Sequence, residues 1–223
     1  MATAIVTGAS HGLGRALAAA LHDRGYRVVV DARDGSALEA AWVGTDVTRL
    51  AGDVSDEGHL RALVAAAGEI DVVVNNAGLL GPSPQPFLAT YPLDALRPLF
   101  EVNVFAPLRL LQLALPHLNR GARLLSVTSD AGTEAYAGWG GYGASKAALE
   151  QFTSVFAVEH PEYAVYSVDP GDMRTVMHQN AFPGEDISDR PLPEEVVPHI
   201  VSLIEGGLPS GRYRAAELEA SRA

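Results

Sequence analysis

Short runs of β-branched residues alternate with longer segments of helical spacing along the whole chain. The runs are continuous, as in VVV at 28–30 and again at 72–74, which is typical of parallel strands buried on both faces. The predicted strands are 3–6, 27–31, 48–51, 70–74, 123–128, 164–168 and 212–215, and the predicted helices are 13–21, 36–42, 59–67, 93–118, 143–159 and 194–205. This alternation predicts a mainly parallel sheet with right-handed crossovers.

The predicted fold class is α/β, a single-domain doubly wound Rossmann-type fold that takes up residues 1–223. Neither an internal repeat nor a linker divides the sequence. Prolines inside the helix at 93–118 predict kinks in it, and residues 172–192 are expected to be irregular. Since ligands bind such sheets at the carboxyl ends of the strands, the segments after the strands are where functional residues are expected.

Composition narrows the classes of partner. The formal net charge is −11 at pH 7 and no basic run occurs, so we expect no nucleic-acid partner. The absence of cysteine excludes disulfides and thiolate metal sites, and no metal site is predicted. The first residues lack a signal-peptide pattern, and no apolar run approaches the roughly 18 residues of a membrane span. The sequence therefore predicts a cytoplasmic protein that acts on a small molecule, without a membrane partner.

A glycine-rich turn joins the first predicted strand to the first helix. It reads Thr7-Gly8-Ala9-Ser10-His11-Gly12-Leu13-Gly14. Glycines at such a turn let the backbone approach a pyrophosphate, and the helix start offers free N–H groups and the positive end of the helix dipole. The spacing differs from the usual G-x-G-x-x-G, and an ordinary glycine-rich turn is the alternative interpretation.

The only lysine of the chain, Lys146, follows Tyr142 by four residues in a predicted helix. Residues at this spacing share one helix face. A positive charge about 5 Å from a phenol, at an effective dielectric constant near 20, is worth roughly 3 kcal/mol, so Lys146 is expected to lower the phenol pKa by about two units. Taken alone, a tyrosine and a lysine one turn apart more often belong to a solvated helix face.

Five motifs in one order resemble the classical short-chain dehydrogenase/reductase family over about residues 3–175. They are the glycine turn, Asn75-Asn76-Ala77-Gly78 after a strand, Ser129 thirteen residues before Tyr142, the Tyr-x-x-x-Lys pair, and Pro170-Gly171 followed by Thr175. Each motif is weak alone, but their shared order makes the resemblance specific. The resemblance implies hydride transfer between a nicotinamide cofactor and an alcohol or carbonyl compound.

The resemblance also implies roles for four residues. Tyr142 would exchange a proton with the substrate oxygen, and Lys146 would hold the nicotinamide ribose and lower the phenol pKa. Ser129 would bond and orient the substrate oxygen. Asn103, in the predicted helix at 93–118, would help to hold a water that leads from Lys146 to solvent; without the family context it reads as an ordinary polar helix residue.

Cofactor contacts are implied in the same way, with Tyr142 and Lys146 among them. Asp53 could instead cap the next helix, and Pro170-Gly171 could be only a turn. The implied positions around the pyrophosphate, the adenosine and the nicotinamide are Gly8, Ser10, His11, Leu13, Gly14, Asp53, Val54, Asn76, Ala77, Gly78, Pro170, Gly171, Met173 and Thr175.

The end of the second strand bears on the choice between NADP(H) and NAD(H). An acidic residue there would bond the ribose 2′-hydroxyl of NAD, and an arginine would pair with the 2′-phosphate of NADP. The acidic position of the family falls on Ala32, and the next one, typical of NADP enzymes, on Arg33. With His11 as a further basic residue, NADP(H) is favoured. A register one residue different would put Asp31 in the acidic position and favour NAD(H).

Other features depart from the family or leave alternatives open. The glycine-ended C-terminal strand that is usual in the family is replaced by Ser210-Gly211-Arg212-Tyr213-Arg214. Residues 176–192 correspond to a substrate lid, with Met177, His178 and Phe182 as possible contacts. His178 is expected to be a surface histidine rather than a catalyst. The predicted carbonyl or alcohol substrate cannot be named, because the loops around the site carry no signature; Ala135, Tyr136, Trp139 and Phe182 suggest an apolar pocket, with ordinary loop packing equally compatible. A homodimer or homotetramer is expected. The rival functions are a non-catalytic redox sensor, an NAD-preferring dehydrogenase, and an epimerase or dehydratase of the same family.

Overall fold

One seven-stranded sheet lies at the centre of the computed structural model, which describes residues 1–220. Its strands are β1 (Thr3–Val6), β2 (Arg27–Ala32), β3 (Thr48–Ala51), β4 (Ile70–Asn75), β5 (Leu118–Val127), β6 (Ala164–Asp169) and β7 (Gly211–Arg214). All neighbouring strands pair in parallel, in the order β3-β2-β1-β4-β5-β6-β7. From the neighbouring strands β1 and β4, the chain adds strands towards one edge of the sheet first and then towards the other. In a doubly wound sheet, the ligand crevice opens where this direction reverses.

Helices cover both faces of this sheet. They are α1 (Gly12–Asp23), α2 (Gly35–Ala41), α3 (Glu57–Ala67), α4 (Leu93–Phe100), α5 (Ala106–Ala114), α6 (Gly140–Glu159), α7 (Val176–Ala181) and α8 (Pro193–Glu205). The apolar sides of α1 and α8 form one core with the sheet, and those of α3, α5 and the end of α6 form the other. The predicted α/β fold class is confirmed.

The predicted helix at 93–118 is present as a helical stretch at 93–117, which is divided into several segments, as its prolines led us to expect. Helix α4 gives way to a π-helical segment at Glu101–Phe105, then to α5 and a 3-10 turn at Leu115–His117. Pro107 lies in the first turn of α5 and Pro116 in the 3-10 turn, where a missing N–H costs little. Strand β5 begins at Leu118, five residues before the prediction, because Leu118 already pairs with Ile70 of β4.

The segment after β6 is more ordered than predicted. Residues 176–181 form the short helix α7, whose N-cap Thr175 accepts a hydrogen bond from the His178 N–H at 3.2 Å. A threonine three residues before the capped N–H is a helix-start signal, but the helix is only six residues long. Periodicity over so short a segment could not reveal it.

One continuous helical stretch, 93–117, is long and apolar enough to cross a membrane by length and composition, although the sequence predicted none. Half of its most apolar part is buried inside the protein. Leu99, Val102 and Leu110 are among its buried side chains, and α5 packs on α3. This stretch therefore has the packing of a core helix.

Candidate active site

A cavity of about 900 Å³ opens at the carboxyl ends of the central strands. This volume lies near the top of the range of roughly 300–1,000 Å³ that small-molecule sites span. Of the four predicted catalytic residues, Ser129, Tyr142 and Lys146 line it and Asn103 does not. All predicted cofactor positions line it too: Gly8, Ser10, His11, Leu13, Gly14, Arg33, Asp53, Val54, Asn76, Ala77, Gly78, Pro170, Gly171, Met173 and Thr175.

The glycine turn is packed so closely that side chains would not fit at two of its positions. A Cβ at Gly14 would lie 2.4 Å from the Gly8 carbonyl oxygen and 2.3 Å from Asn76 Nδ2. Gly8 has a φ of +71°, and a Cβ there would lie 2.8 Å from the Ala77 Cα. From below, Trp42 Nε1 donates a hydrogen bond to the Ala9 carbonyl at 3.0 Å. The backbone of the turn is therefore the surface that a ligand meets.

The start of α1 faces the cavity without a capping side chain. His11 is the N-cap residue and makes no capping hydrogen bond; its Nδ1 lies 2.9 Å from Ser10 Oγ. By contrast, Asp34 and Asp56 cap α2 and α3 through their carboxylates. The first N–H groups of α1 are therefore left as donors for an anion.

Asn76 holds the glycine turn against the end of β4. Its side-chain Nδ2 donates to the carbonyls of Thr7 at 2.8 Å and Gly8 at 3.1 Å. The Thr7 hydroxyl oxygen in turn accepts from the backbone N–H groups of Asn76 and Ala77, each at 3.0 Å. The Asn76 amide is therefore committed to the turn, and the segment from Asn76 to Gly78 faces the cavity with its backbone.

Asp31, considered above as a ribose ligand in an alternative register, is used inside the protein. Its Oδ1 accepts a hydrogen bond from the Gly8 N–H at 2.7 Å, and its Oδ2 lies 2.9 Å from His59 Nε2. The residue is 1% exposed. Arg33, two residues on, is exposed, lines the cavity and makes no ion pair within residues 1–220. At the end of β2, Arg33 is therefore available to a ligand and Asp31 is not.

The predicted catalytic side chains meet at the other end of the cavity. Helix α6 places Tyr142 and Lys146 on one face, with Lys146 Nζ 5.5 Å from the centre of the Tyr142 ring. The ammonium donates a hydrogen bond to the Val127 carbonyl at 2.8 Å. Ser129 follows the end of β5, where its hydroxyl donates to Asp130 Oδ1 at 2.8 Å. A phenol, an ammonium and a hydroxyl around one space can bind and protonate an oxygen atom.

Burial determines the protonation of this pair. Loss of water raises the pKa of the Tyr142 phenol far above 10, and the charges of Asp169 and Asp130 raise it further. Burial also lowers the pKa of Lys146 to about 8, against an opposing effect of Glu150. The expected lowering of the phenol pKa by Lys146 is therefore wrong for this structure. A nearby positive charge lowers the pKa of a phenol, but desolvation of the phenol raises it and is the larger effect here.

Asn103 lies behind the cavity in the π-helical segment and is fully buried. Its Oδ1 accepts from the Leu79 N–H at 2.7 Å, and its Nδ2 donates to the Leu79 carbonyl at 2.9 Å and to Ser145 Oγ at 3.0 Å. Ser145 donates to the Tyr142 carbonyl at 2.7 Å. Asn103 thus joins the segment after β4 to the helix of the catalytic pair.

Aromatic side chains extend the catalytic end towards α7. The Trp139 ring meets the Tyr142 ring edge-on at 5.8 Å, and the Phe182 ring lies 5.7 Å from Trp139. Both side chains line the cavity, as Tyr136 does, whereas Ala135 does not. His178 also lines it, with a side chain only 10% exposed and Nε2 without a partner in residues 1–220. Helix α7 therefore turns His178 towards the cavity, where it was named as a possible contact, and away from the open surface.

The chain matches known proteins over most of its length. A family model for short chain dehydrogenases matches residues 2–186. The 2-(R)-hydroxypropyl-CoM dehydrogenase of Xanthobacter autotrophicus is 35% identical over 203 residues, which are 85% of this chain and 81% of that protein. The 1-deoxy-11-beta-hydroxypentalenate dehydrogenase of Streptomyces avermitilis is 38% identical over 156 residues, 65% of this chain and 57% of that protein.

A solved structure is also similar. It is a short chain dehydrogenase from Shigella flexneri complexed with NADP, which superposes with a TM-score of 0.89 at 27% identity. The match covers 96% of this chain and 97% of that one.

Proposed function

The chain belongs to the short-chain dehydrogenase family and is an oxidoreductase that acts on alcohol or carbonyl groups; from this premise we propose that it is an NADP(H)-dependent carbonyl reductase. The observation that carries the proposal is the cavity wall shared by the Tyr142 phenol, the Lys146 ammonium and the Ser129 hydroxyl; a phenol is protonated at neutral pH. A carbonyl oxygen that gains negative charge during reduction needs a proton donor. A protonated phenol at the cavity wall meets that need.

The other polar groups at this end act on the same oxygen. Ser129 binds and orients the substrate oxygen, after its hydroxyl turns from Asp130. Lys146, with a pKa lowered to about 8, is mostly protonated at neutral pH and holds the nicotinamide ribose. Asn103 fixes the backbone beside this pair, and its part in proton supply from solvent belongs to the same proposal. Fixed groups of this kind supply orientation and electrostatic stabilisation.

The residues at the opposite end fit a dinucleotide cofactor. The uncapped start of α1 and the close-packed glycines offer backbone N–H groups to a pyrophosphate,. Arg33 is free to pair with a ribose 2′-phosphate, whereas both Asp31 oxygens are engaged, which supports NADP(H) over NAD(H). The NADP complex of the similar Shigella structure supports the same choice. When bound, the reduced nicotinamide supplies the hydride that reduces the carbonyl carbon.

The remaining cavity residues have places in this proposal. Asp53 and Val54 flank the adenine, and the turn after β6 receives the nicotinamide carboxamide. Thr175 also caps α7, so the start of the proposed lid at 176–192 is tied to the nicotinamide site. The residues proposed for the carboxamide side are Pro170, Gly171, Met173 and Thr175.

The lining of the substrate end supports a carbonyl compound with an apolar body. Trp139 and Phe182 present a continuous aromatic wall beside Tyr142. Apolar walls with a few placed polar groups are usual for small-molecule sites.

Phe152, Val155 and Val158 of α6 are exposed apolar side chains, which supports a homodimer or homotetramer formed through this helix.

The test is NADPH oxidation with a panel of apolar aldehydes and ketones, measured for the parent protein and for Tyr142→Phe. We expect the variant to lose at least about a thousandfold in kcat, because the phenol donates the proton, while NADPH binding measured by calorimetry stays within about twofold. Near-parental turnover by Tyr142→Phe would contradict the mechanism. Tighter binding of NADH than of NADPH by the parent would contradict the cofactor choice.

A further inference from the structure

The last strand reaches the catalytic end through a single arginine. Arg212 of β7 donates from Nη2 to the Ser129 carbonyl and to Asp169 Oδ2, each at 3.3 Å. Its Nε donates to Glu150 Oε1 at 3.1 Å. One guanidinium therefore contacts Ser129 shortly after β5, the end of β6 and the helix that carries Tyr142 and Lys146. A planar group with several fixed donors suits such a junction, and an ammonium does not.

Glu150 connects this arginine to the lysine of the site. It lies one helical turn after Lys146 in α6, and its side chain is 14% exposed. Its Oε1 also accepts a hydrogen bond from the Thr128 hydroxyl at 2.5 Å, next to Ser129. The carboxylate thus bonds two neighbouring elements while it lies within electrostatic range of the ammonium.

Asp169 connects the arginine to the turn proposed for the nicotinamide carboxamide. Its Oδ1 accepts from the Gly171 N–H at 3.0 Å, and its side chain is 7% exposed. Arg214 comes no closer than 3.9 Å to this carboxylate and pairs with Glu134. Removal of Arg212 would therefore leave two largely buried carboxylates without a hydrogen-bonded cation among residues 1–220, which is unfavourable,.

We propose that Arg212 is a positioning residue, which sets the relative places of Ser129, the turn after Asp169 and the catalytic helix, and which balances the charge of Glu150 behind Lys146. This inference rests on the proposed reductase function for its effect on turnover. Its electrostatic part depends only on the contacts of Arg212 and Glu150. The two parts can therefore be measured separately.

Charged groups from four elements act on the catalytic pair. Asp130 after β5 and Asp169 of β6 act on Tyr142, Glu150 of α6 acts on Lys146, and Arg212 of β7 lies between Asp169 and Glu150. Loss of the Arg212 guanidinium makes the surroundings of Lys146 more negative. This stabilises the ammonium and raises the pKa of Lys146. Loss of the Glu150 charge has the opposite effect, since it removes a stabiliser of the ammonium.

The test compares Arg212→Met and Glu150→Gln with a matched control, Arg24→Met. The Arg24 side chain is 21% exposed, bonds a carbonyl and pairs with Glu205 on the far side of the fold. We expect Arg212→Met to lower kcat at least tenfold with KM for NADPH within twofold, while Arg24→Met keeps the parental kcat. A parental kcat in Arg212→Met, in a protein whose parent reduces carbonyls, would overturn the positioning role.

A second measurement needs no activity. Because Lys146 is the only lysine, a protein with isotope-labelled lysine gives one side-chain NMR signal, and its pH titration reports that ammonium alone. The midpoint should move to higher pH in Arg212→Met, to lower pH in Glu150→Gln, and stay unchanged in Arg24→Met. Unchanged midpoints in both site variants would overturn the charge-balancing role. An inactive parent would instead count against the reductase proposal and leave this titration decisive.

Discussion

The glycine-turn end of the cavity is held mainly by close main-chain contacts, whereas the catalytic end is held by buried charges. At the first end, Gly14 packs on the Gly8 carbonyl and Gly8 packs on the Ala77 backbone. At the second, Arg212 joins Asp169 and Glu150. Shape therefore defines one end and electrostatic balance the other, so substitutions at the two ends should differ in their response to pH.

The largest effect is expected from Gly14→Ala, which tests whether shape alone holds the glycine-turn end. The new Cβ would overlap the Gly8 carbonyl and the Asn76 amide, at a cost of about 4 kcal/mol or more in the free energy of unfolding. Denaturant unfolding at two pH values measures this cost, which should be independent of pH. Gly207→Ala is the control, because a Cβ there meets nothing within 4 Å; equal losses in both variants would contradict the role of close packing.

A somewhat smaller effect, dependent on pH, is expected at the catalytic end. Burial lowers the pKa of Lys146 from 10.5 to about 8, so between these values the unfolded chain binds more protons than the folded one. Stability then rises with pH. From pH 8 to pH 10 the unfolding free energy of the parent should rise by about 2 kcal/mol relative to Lys146→Met, as measured by urea unfolding. A constant difference across this range would show that the ammonium is not desolvated.

The next effect tests whether Asp31, a buried carboxylate at the glycine-turn end, is structural. Asp31→Ala leaves the Gly8 N–H and His59 without their partner, and should lower the unfolding free energy by about 2 kcal/mol. Asp46→Ala is the matched control, since Asp46 pairs with His22 at 2.7 Å but is 91% exposed. Its loss should be much smaller, because solvent screens an exposed pair. Thermal unfolding of both variants gives the comparison, and similar losses would argue against a special role for Asp31.

The smallest effect is expected from Arg33→Ala, which changes a ligand contact alone and so separates cofactor binding from stability at the glycine-turn end. Its side chain is exposed, so the melting temperature should not move. Loss of a phosphate partner should weaken NADPH binding by about tenfold, or about 1.4 kcal/mol, and leave NADH binding unchanged. Calorimetric titration of both cofactors decides this, with Arg61→Ala, another surface arginine, as the control. Equal weakening for both cofactors would contradict recognition of a 2′-phosphate.

Local patterns predicted most of the elements, and the family resemblance supplied the predicted cavity residues. Continuous valine runs identified β2 and β4, and the four-residue spacing placed Tyr142 and Lys146 on one helix face. These features depend on neighbours in the sequence, which periodicity records.

Features that depend on distant contacts could not be predicted. Asp31 meets His59 from 28 residues away, and Arg212 meets Ser129 from 83 residues away. The pKa direction of Tyr142 likewise follows from burial by the whole fold. A buried aspartate inside an apolar strand, and an arginine where the family pattern has a glycine-ended strand, were the only available signals.

The two tryptophans of the chain happen to lie at opposite ends of the cavity. Trp42 is buried beneath the glycine turn and bonded to the Ala9 carbonyl, while Trp139 stands among the aromatic rings beside Tyr142. The fluorescence of each tryptophan can therefore report ligand binding at its own half of the site. Single Trp→Phe variants would separate the fluorescence of Trp42 from that of Trp139. The time course of quenching could then be compared between the two ends of the cavity.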